Sequence, residues 1–359
     1  MRATLLLRTA HAWAGAVLSL LIAALGVSGS LLVYKKDYVR LVFAEARQPI
    51  SLAAEDLGPV LNRIEAEYGD QELRYVLLGD ADFGLHKAVF RDGAGAYLDG
   101  TGKTVTRWAK NGRPEDWLFD LHHYLLAGET GKLVAGVAGG AAVLLAITGL
   151  VIVWPSLRMF RWRIWPRTAR RRDLMAQHRD IGVIFALPVV LIAFTGFSMV
   201  YSGPVRAALY GLTASRPEPA PQRPEAGEGQ TDWSAALAAA EASFPRAVPR
   251  LASLPAKPGA PASLRLRQPG EWHQNGRTYV FMNPATNQPV GTADGHSMNR
   301  AERIFNSLYP LHSAGTGGRV YDAFTFLTGL ALTALGLVGT WTFLKRPPRR
   351  SKRSPRAPA

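Results

Sequence analysis

Two stretches of this sequence carry the same pattern of residues. The first is HAWAGAVLSLLIAALGVSGSLLVY (His11–Tyr34), and the second is HRDIGVIFALPVVLIAFTGFSMVY (His178–Tyr201). With an offset of 167 residues, both read H-x3-G-x4-L-x8-G-x3-V-Y. Each is long and apolar enough to cross a hydrocarbon core of about 30 Å as a helix. They predict two equivalent transmembrane helices in one chain.

Four apolar runs of this kind occur in the 359 residues. They cover Ala10–Tyr34, Leu133–Trp154, Ile181–Tyr201 and Ala323–Leu344. Buried helices of a large soluble protein are the alternative interpretation. Four runs of matched length, together with the positions of the charges, favour membrane spans.

The net charge of +15 comes from three short segments beside the apolar runs. Arg2 and Arg8 precede the first run, the loop Pro155–Gln177 carries seven arginines, and the tail 345–359 carries seven lysines and arginines. Basic loops on alternate sides of the helices follow the positive-inside rule, so we expect these segments in the cytoplasm against anionic lipid headgroups. This location explains the charge without nucleic-acid binding. The tryptophans that fit an interfacial belt are Trp154, Trp162, Trp165 and Trp341.

The second helices of the two halves also match. Near an offset of 190 residues they share two leucines and a histidine, and after a three-residue gap they share a glycine and a tryptophan. The matched pairs are Leu118 with Leu308, Leu121 with Leu311, His122 with His312, Gly149 with Gly336 and Trp154 with Trp341. The unit of helix, outer segment and helix therefore occurs twice in one orientation, which implies a pseudo-twofold axis along the membrane normal.

This duplication predicts an α-helical membrane protein with four transmembrane helices, arranged as two parallel repeats, and two outer α+β domains. We expect an inner-membrane, multi-pass protein with both termini in the cytoplasm and the outer domains in the periplasm. Within the second outer segment, Arg216–Gln230 is typical of a flexible linker. The predicted divisions are 1–34 for the N-terminus and first helix, 35–120 for the first outer domain, 121–154 for the second helix, 155–177 for the basic loop, 178–203 for the third helix, 204–310 for the second outer domain, 311–344 for the fourth helix and 345–359 for the basic tail.

Four of the eight histidines lie at matched positions and pair by depth. His11 and His178 fall at the inner end of the helices, and His122 and His312 at the outer end. Two neutral imidazoles that face each other across an axis suit the axial ligation of a haem iron, with metal–nitrogen bonds of about 2 Å. Because the chain has no cysteine, haem could not be attached through C-x-x-C-H. The pattern predicts two non-covalent b-type haems.

Other roles for these histidines stay open at this point. They could be interfacial side chains, a mononuclear metal site or part of a proton relay. His123, next to His122, is an alternative ligand. The histidines without a repeat partner are predicted to lie on the surface; they are His86, His273 and His296.

The outer pair raises a question of depth. His122 and His312 each precede their apolar run by 11 residues, so straight helices would lift them roughly 16 Å above it. Helix breaks at Gly128–Gly131 and Gly315–Gly318 would bring the pair down. Glycines on neighbouring turns would leave room for a flat porphyrin, and the candidates are Gly15, Gly26, Gly136 and Gly182.

Three motifs resemble those of a known family. They are LHHxLxAGExG (Leu121–Gly131), HRxxG (His178–Gly182) and LHxxG (Leu311–Gly315), with helix ends of the form Gly…Trp. They resemble the PepSY-associated transmembrane helix family, which includes iron-regulated membrane proteins and inner-membrane ferrisiderophore reductases. The resemblance covers nearly the whole chain, and the outer domains are similar to PepSY modules more loosely.

The resemblance implies a four-helix domain with two b-type haems that reduces Fe(III)-siderophore in the periplasm and releases Fe(II). It places the four paired histidines on the family's histidine positions and names no further catalytic residue. No nucleotide fingerprint precedes a helix, so electrons would come from quinol or a separate cytoplasmic reductase. Two alternatives remain: a haem-free PepSY scaffold that binds or restrains an envelope protein, and a transporter of haem or an iron complex.

Overall fold

The computed structural model describes residues 2–217 and 225–345. The tail from residue 346 and the centre of the predicted linker, 218–224, lie outside the described residues. The helices are α1 (Arg2–Val33), α2 (Lys35–Val42), α3 (Ala54–Tyr68), α4 (Pro114–Tyr124), α5 (Gly128–Val153), α6 (Arg171–Ile184), α7 (Ala186–Val200), α8 (Ser202–Thr213), α9 (Trp233–Ser243), α10 (Arg300–His312) and α11 (Gly318–Leu344). The strands are β1 (Leu73–Leu77), β2 (His86–Phe90), β3 (Gly95–Leu98), β4 (Thr104–Trp108), β5 (Val248–Ser253), β6 (Ala262–Arg267), β7 (Thr278–Asn283) and β8 (Gln288–Ala293).

Three stretches of helix are long and apolar enough to cross a membrane. They are Thr4–Val33, Gly128–Met159 and Gly318–Leu344. A fourth passes the same test only as the pair of α6 and α7, which is bent by 69°. The structure therefore contains three unbroken candidate spans and one bent pair within the described residues.

Pro188 explains the bend between α6 and α7. Proline has no N–H to bond the carbonyl of the residue four positions earlier, Ile184, and its ring crowds that carbonyl. α6 accordingly ends at Ile184, and Phe185 leaves the helical conformation with φ −99° and ψ 7°. The matching position in α1 is Leu21, and α1 continues without a break. The predicted run Ile181–Tyr201 thus crosses a bend that its repeat partner lacks.

Each repeat packs its first span against the second span of the other repeat. α1 lies along α11, and α7 lies along α5. The helices approach closely where glycines meet: a β-carbon on Gly26 would lie 2.6 Å from the Gly329 carbonyl oxygen. Small residues permit this contact between helices in a membrane. The two halves are interlocked rather than placed side by side.

Both outer histidines lie in the last turn of a short helix that breaks before the next span. After α4 the backbone turns left-handed at Leu125 (φ 48°) and Leu126 (φ 58°), and α5 starts at Gly128. After α10 the same change occurs at Ala314 (φ 58°) and Gly317 (φ 83°). α4 then packs on α1, and α10 packs on α7. The second break falls within the predicted segment Gly315–Gly318, whereas the first lies just ahead of Gly128–Gly131, which begins α5. Both breaks bring the outer pair down onto the spans.

The two outer segments join in a single antiparallel sheet. Its strand order is β4-β3-β2-β1-β5-β6-β7-β8. At the centre, β1 pairs with β5 in a register that sets Tyr75 opposite Ser253 and Val76 opposite Ala252. Antiparallel pairing of two equivalent strands is the contact that a twofold axis generates. The sequence predicted two outer α+β domains; the structure merges them, because each half would otherwise leave the edge of its first strand unpaired.

α3 and α9 cover one face of this sheet and share one hydrophobic core. Leu61, Trp233 and Leu264 lie in it, from both halves of the chain. The buried Glu65 accepts hydrogen bonds from the Trp233 indole and the Thr231 backbone N–H. Burial raises the pKa of Glu65. Both of these hydrogen bonds come from the other half of the chain, so Glu65 ties the two repeats together.

Candidate functional site

The imidazoles of His122 and His312 face each other where the two repeats meet. Their ring centroids are 5.9 Å apart, and the ring planes are tilted by 39°. One ring comes from the end of α4 and the other from the end of α10, and both are half-buried. The structure therefore brings together the outer pair that the repeat alignment predicted.

This spacing fits an iron atom held between two imidazoles. With metal–nitrogen bonds of about 2 Å and about 1 Å from each bonding nitrogen to its ring centre, the two ring centres lie about 6 Å apart. The observed 5.9 Å agrees with this value. His122 and His312 would therefore suit as the two residues that hold the iron of a b-type haem.

Hydrogen bonds to the spans fix both rings. His122 Nδ1 lies 3.0 Å from the Leu25 carbonyl oxygen, and His312 Nδ1 lies 2.9 Å from the Ile192 carbonyl oxygen. Leu25 and Ile192 are 167 residues apart, the repeat offset. A bond from Nδ1–H to a carbonyl leaves Nε2 as the nitrogen that can bind a metal, and metal-ligating histidines are commonly held in this way.

Two glycines of the repeated motif make room for these rings. A β-carbon on Gly29 would lie 2.7 Å from His122 Cε1, and one on Gly196 would lie 2.8 Å from His312 Cε1. Carbon atoms normally pack about 3.5–4.0 Å apart, so any larger residue at either position would displace the imidazole. The glycine of the repeated motif, Gly29 in α1 and Gly196 in α7, therefore leaves space for the histidine of the short helix packed against it.

His11 and His178 line one cavity at the other end of the spans. The cavity has a volume of about 550 Å³ and is bordered by α1, α5, α6 and α11. This size lies within the range of about 300–1,000 Å³ that is typical of cofactor sites. His11 Nδ1 is 2.9 Å from Thr148 Oγ1. Arg8 and Arg171 also line the cavity and would suit the carboxylates of a ligand.

Two of the four glycines predicted to accommodate a porphyrin lie at this cavity. Gly15 and Gly182 line it, and a β-carbon on Gly15 would meet no atom within 4 Å. Gly26 and Gly136 instead allow helices to pack: a β-carbon on Gly136 would lie 2.7 Å from the side chain of Tyr201. Gly15 and Gly182 thus lie beside open space near His11 and His178, whereas neighbouring helices fill the space beside Gly26 and Gly136.

The two histidine pairs lie at opposite ends of α1. His11 is near its start, and Leu25, which binds His122, is 14 residues further on. At 1.5 Å per residue, the two levels are about 21 Å apart along the helix. The arrangement places one imidazole pair near each end of the membrane spans.

His123 is turned away from the outer pair. Its ring stacks on Phe119 with centroids 3.9 Å apart, and its Nδ1 lies 3.1 Å from the Phe119 carbonyl oxygen. His122, in contrast, bonds a carbonyl of α1 through Nδ1, just as His312 bonds the equivalent carbonyl of α7. The geometry favours His122 over His123 as the partner of His312.

Two histidines that were predicted to lie on the surface are buried, so that prediction is wrong for them. His86 accepts a hydrogen bond from the Gly79 N–H, and burial lowers its pKa to about 4. His273 stacks on Tyr309, and burial with the nearby Arg277 lowers its pKa to about 2. The sequence signal that could have placed His86 in the core is strand alternation in β2, which puts His86 on the same face as Ala88 and Phe90. His296 is exposed.

These features define a membrane protein whose apolar helices carry an outer antiparallel sheet. Over residues 8–346 the sequence matches the PepSY-associated TM region family, and the chain belongs to that family. The resemblance seen in the histidine motifs is thereby confirmed. A comparison with curated proteins gave no match.

Proposed function

We propose that this protein is a two-haem transmembrane oxidoreductase that passes electrons to a periplasmic acceptor, an Fe(III)-siderophore, and so releases Fe(II). The observation that carries this proposal is the 5.9 Å spacing of the His122 and His312 rings. Membership of the PepSY-associated TM region family supports the membrane setting. The similarity of the histidine motifs to those of ferrisiderophore reductases supports the choice of acceptor.

The proposed orientation rests on charge. Arg8 and the arginine-rich loop between α5 and α6 lie at the end of the spans where His11 and His178 line the cavity. The sheet follows the other end of the spans. By the positive-inside rule, the first end and both termini are cytoplasmic, in the inner membrane, and the sheet is periplasmic. The spans would comprise four crossings, with α6 and α7 together forming the third.

The residues of the chain would hold one haem at each level. His11 and His178 would ligate the inner haem, and His122 and His312 the outer one. Bound haem would supply one-electron transfer between ferric and ferrous iron. The carbonyls of Leu25 and Ile192 keep the outer imidazoles in the orientation that leaves Nε2 free. Quinol or a cytoplasmic reductase would supply the electrons.

Absorption spectra of single alanine variants test the cofactor assignment. We expect two b-type haems per chain in the purified protein. His122→Ala and His312→Ala should lose the same haem, whereas His11→Ala and His178→Ala should lose the other. His296→Ala, at an exposed position, is the matched control and should keep both. A colourless wild-type protein would support a haem-free scaffold instead, and losses that cross the pairs would contradict the assignment.

A second experiment tests the acceptor. Dithionite-reduced protein should be reoxidised on mixing with a ferric siderophore, and Fe(II) should appear in a chelator assay. Vesicles that contain the protein should not accumulate the intact complex. Accumulation of the complex without reoxidation of the haem would favour a transporter. Failure of every ferric complex to reoxidise the outer haem would refute the proposed reductase activity while leaving haem binding intact.

A further inference from the structure

Two buried hydroxyls lie beside the outer histidines at equivalent positions. Ser28 Oγ is 3.2 Å from His122 Nδ1, and Thr195 Oγ1 is 3.2 Å from His312 Nδ1. The two residues are 167 positions apart, the repeat offset, although their residue types differ. Ser28 is 0% exposed and Thr195 is 1% exposed. Each Nδ1 therefore has two oxygen partners, a carbonyl and a hydroxyl.

The carbonyl determines which nitrogen of each imidazole carries the proton. A carbonyl oxygen only accepts hydrogen bonds, so the contacts to Leu25 and Ile192 require a proton on Nδ1. The neutral ring then has its lone pair on Nε2, as a metal ligand must. The hydroxyls face the same Nδ1–H groups and can only accept from them.

The protons of both hydroxyls already have partners. Ser28 Oγ donates to the Ala24 carbonyl oxygen at 2.6 Å, and Thr195 Oγ1 donates to the Leu191 carbonyl oxygen at 2.8 Å. A hydroxyl has one proton and two lone pairs, so each oxygen remains free to accept. Back-bonding within a helix would satisfy such a residue without a histidine. Back-bonding alone does not explain why the Nδ1–H of a histidine lies within hydrogen-bond distance of each of the two hydroxyls.

We propose that Ser28 and Thr195 are positioning residues for the outer haem. Each hydroxyl accepts a second hydrogen bond from the Nδ1–H of its histidine, which holds the ring in place and increases the electron donation of Nε2 to iron. This inference rests on the proposed function, because the state of Nε2 matters only if it binds a metal. Outer-shell partners of this kind typically change metal affinity by about 10- to 100-fold.

Substitution of each hydroxyl tests the proposal in the full-length, haem-loaded protein. Ser28→Ala and Thr195→Ala should each weaken retention of the outer haem by about 10- to 100-fold. They should also raise its midpoint potential in a spectroelectrochemical titration, since a weaker nitrogen donor favours ferrous iron. The inner haem should keep its potential. Ser28→Thr and Thr195→Ser each introduce the hydroxyl residue of the other repeat. Both variants should keep the haem retention and the midpoint potential of the wild type.

Thr328→Ala provides the matched control. Thr328 is a buried threonine of α11 whose hydroxyl donates to the Phe324 carbonyl oxygen at 2.7 Å. Its loss should leave both potentials unchanged. The inference would be overturned if both Ser28→Ala and Thr195→Ala kept the outer potential and the haem content of the wild type. It would also be overturned if haem content fell while the potential stayed unchanged, because that result indicates a packing role only. A wild-type protein without haem would instead overturn the proposed function.

Discussion

Gly29 offers the sharpest test of the outer site, because its substitution adds one methyl group beside one imidazole. The added β-carbon would lie 2.7 Å from His122 Cε1. Carbon atoms pack about 3.5–4.0 Å apart, so the ring of His122 must retreat by about 1 Å. Gly29→Ala leaves all four paired histidines in place. It therefore tests their geometry rather than their presence.

A displacement of that size exceeds what the site tolerates. Metal–ligand distances hold within about 0.2 Å of their ordinary values, so an imidazole shifted by about 1 Å no longer ligates. The Nδ1 bond to Leu25, now 3.0 Å, would also stretch beyond hydrogen-bond range. We expect the haem content to fall from two per chain to one, with the inner haem retained. Gly196→Ala should lose the same haem, since its β-carbon would lie 2.8 Å from His312 Cε1.

The assay is haem content per chain with low-temperature reduced-minus-oxidised spectra. Gly211→Ala is the control, because a β-carbon there meets no atom within 4 Å. It should retain both haems and unfold no more easily than the wild type. Two haems with an unaltered outer spectrum in Gly29→Ala would refute the reasoning, and so would loss of the inner haem alone.

Two further predictions concern the sheet. Burial lowers the pKa of His86 to about 4, against an ordinary value of 6.5. Between these two pH values only the unfolded state takes up a proton on this residue. The free energy of unfolding should therefore fall by about 3 kcal/mol as the pH drops from 6.5 to 4. His86→Asn should reduce this loss in urea unfolding followed by tryptophan fluorescence; an unchanged pH slope would contradict the burial of a neutral ring. Since the chain has no cysteine, a Tyr75→Cys/Ser253→Cys pair should form a disulfide across the central strands, detected as a linked peptide by mass spectrometry. The control pair Tyr75→Cys/Ser263→Cys should not form a disulfide, because Ser263 lies one strand further away, with about 9–10 Å between the two α-carbons. A disulfide in the control pair and none between positions 75 and 253 would rule out the shared sheet.

Much of the membrane part could be predicted from the sequence, because its signals are local or repeated. The offset of 167 aligned His11 with His178 and Gly29 with Gly196, and the offset of 190 aligned His122 with His312. The bend before Pro188 could have been anticipated from the proline itself. Ser28 and Thr195 escaped notice because a repeat alignment that scores identical residues overlooks a shared hydroxyl.

The outer part was harder to predict for a different reason. Strand alternation indicates that a segment is extended, but not which distant strand it pairs with. Tyr75 and Ser253 are 178 positions apart, and nothing local to either marks the other as its partner. The burial of His273 depends on Tyr309 in another element. Such contacts exist only after the two repeats have assembled.

The interlocking of the repeats means that neither half contains a complete site. Each imidazole pair draws one member from each half, so under the proposed function a single repeat would need a second copy to provide both ligands of one haem. Fusion into one polypeptide removed the requirement that the two sides be identical. Thr148, beside His11, already corresponds to Leu335 in the other half. A duplicated chain can thus change the surroundings of the two histidines of one pair separately, which a symmetric homodimer cannot do.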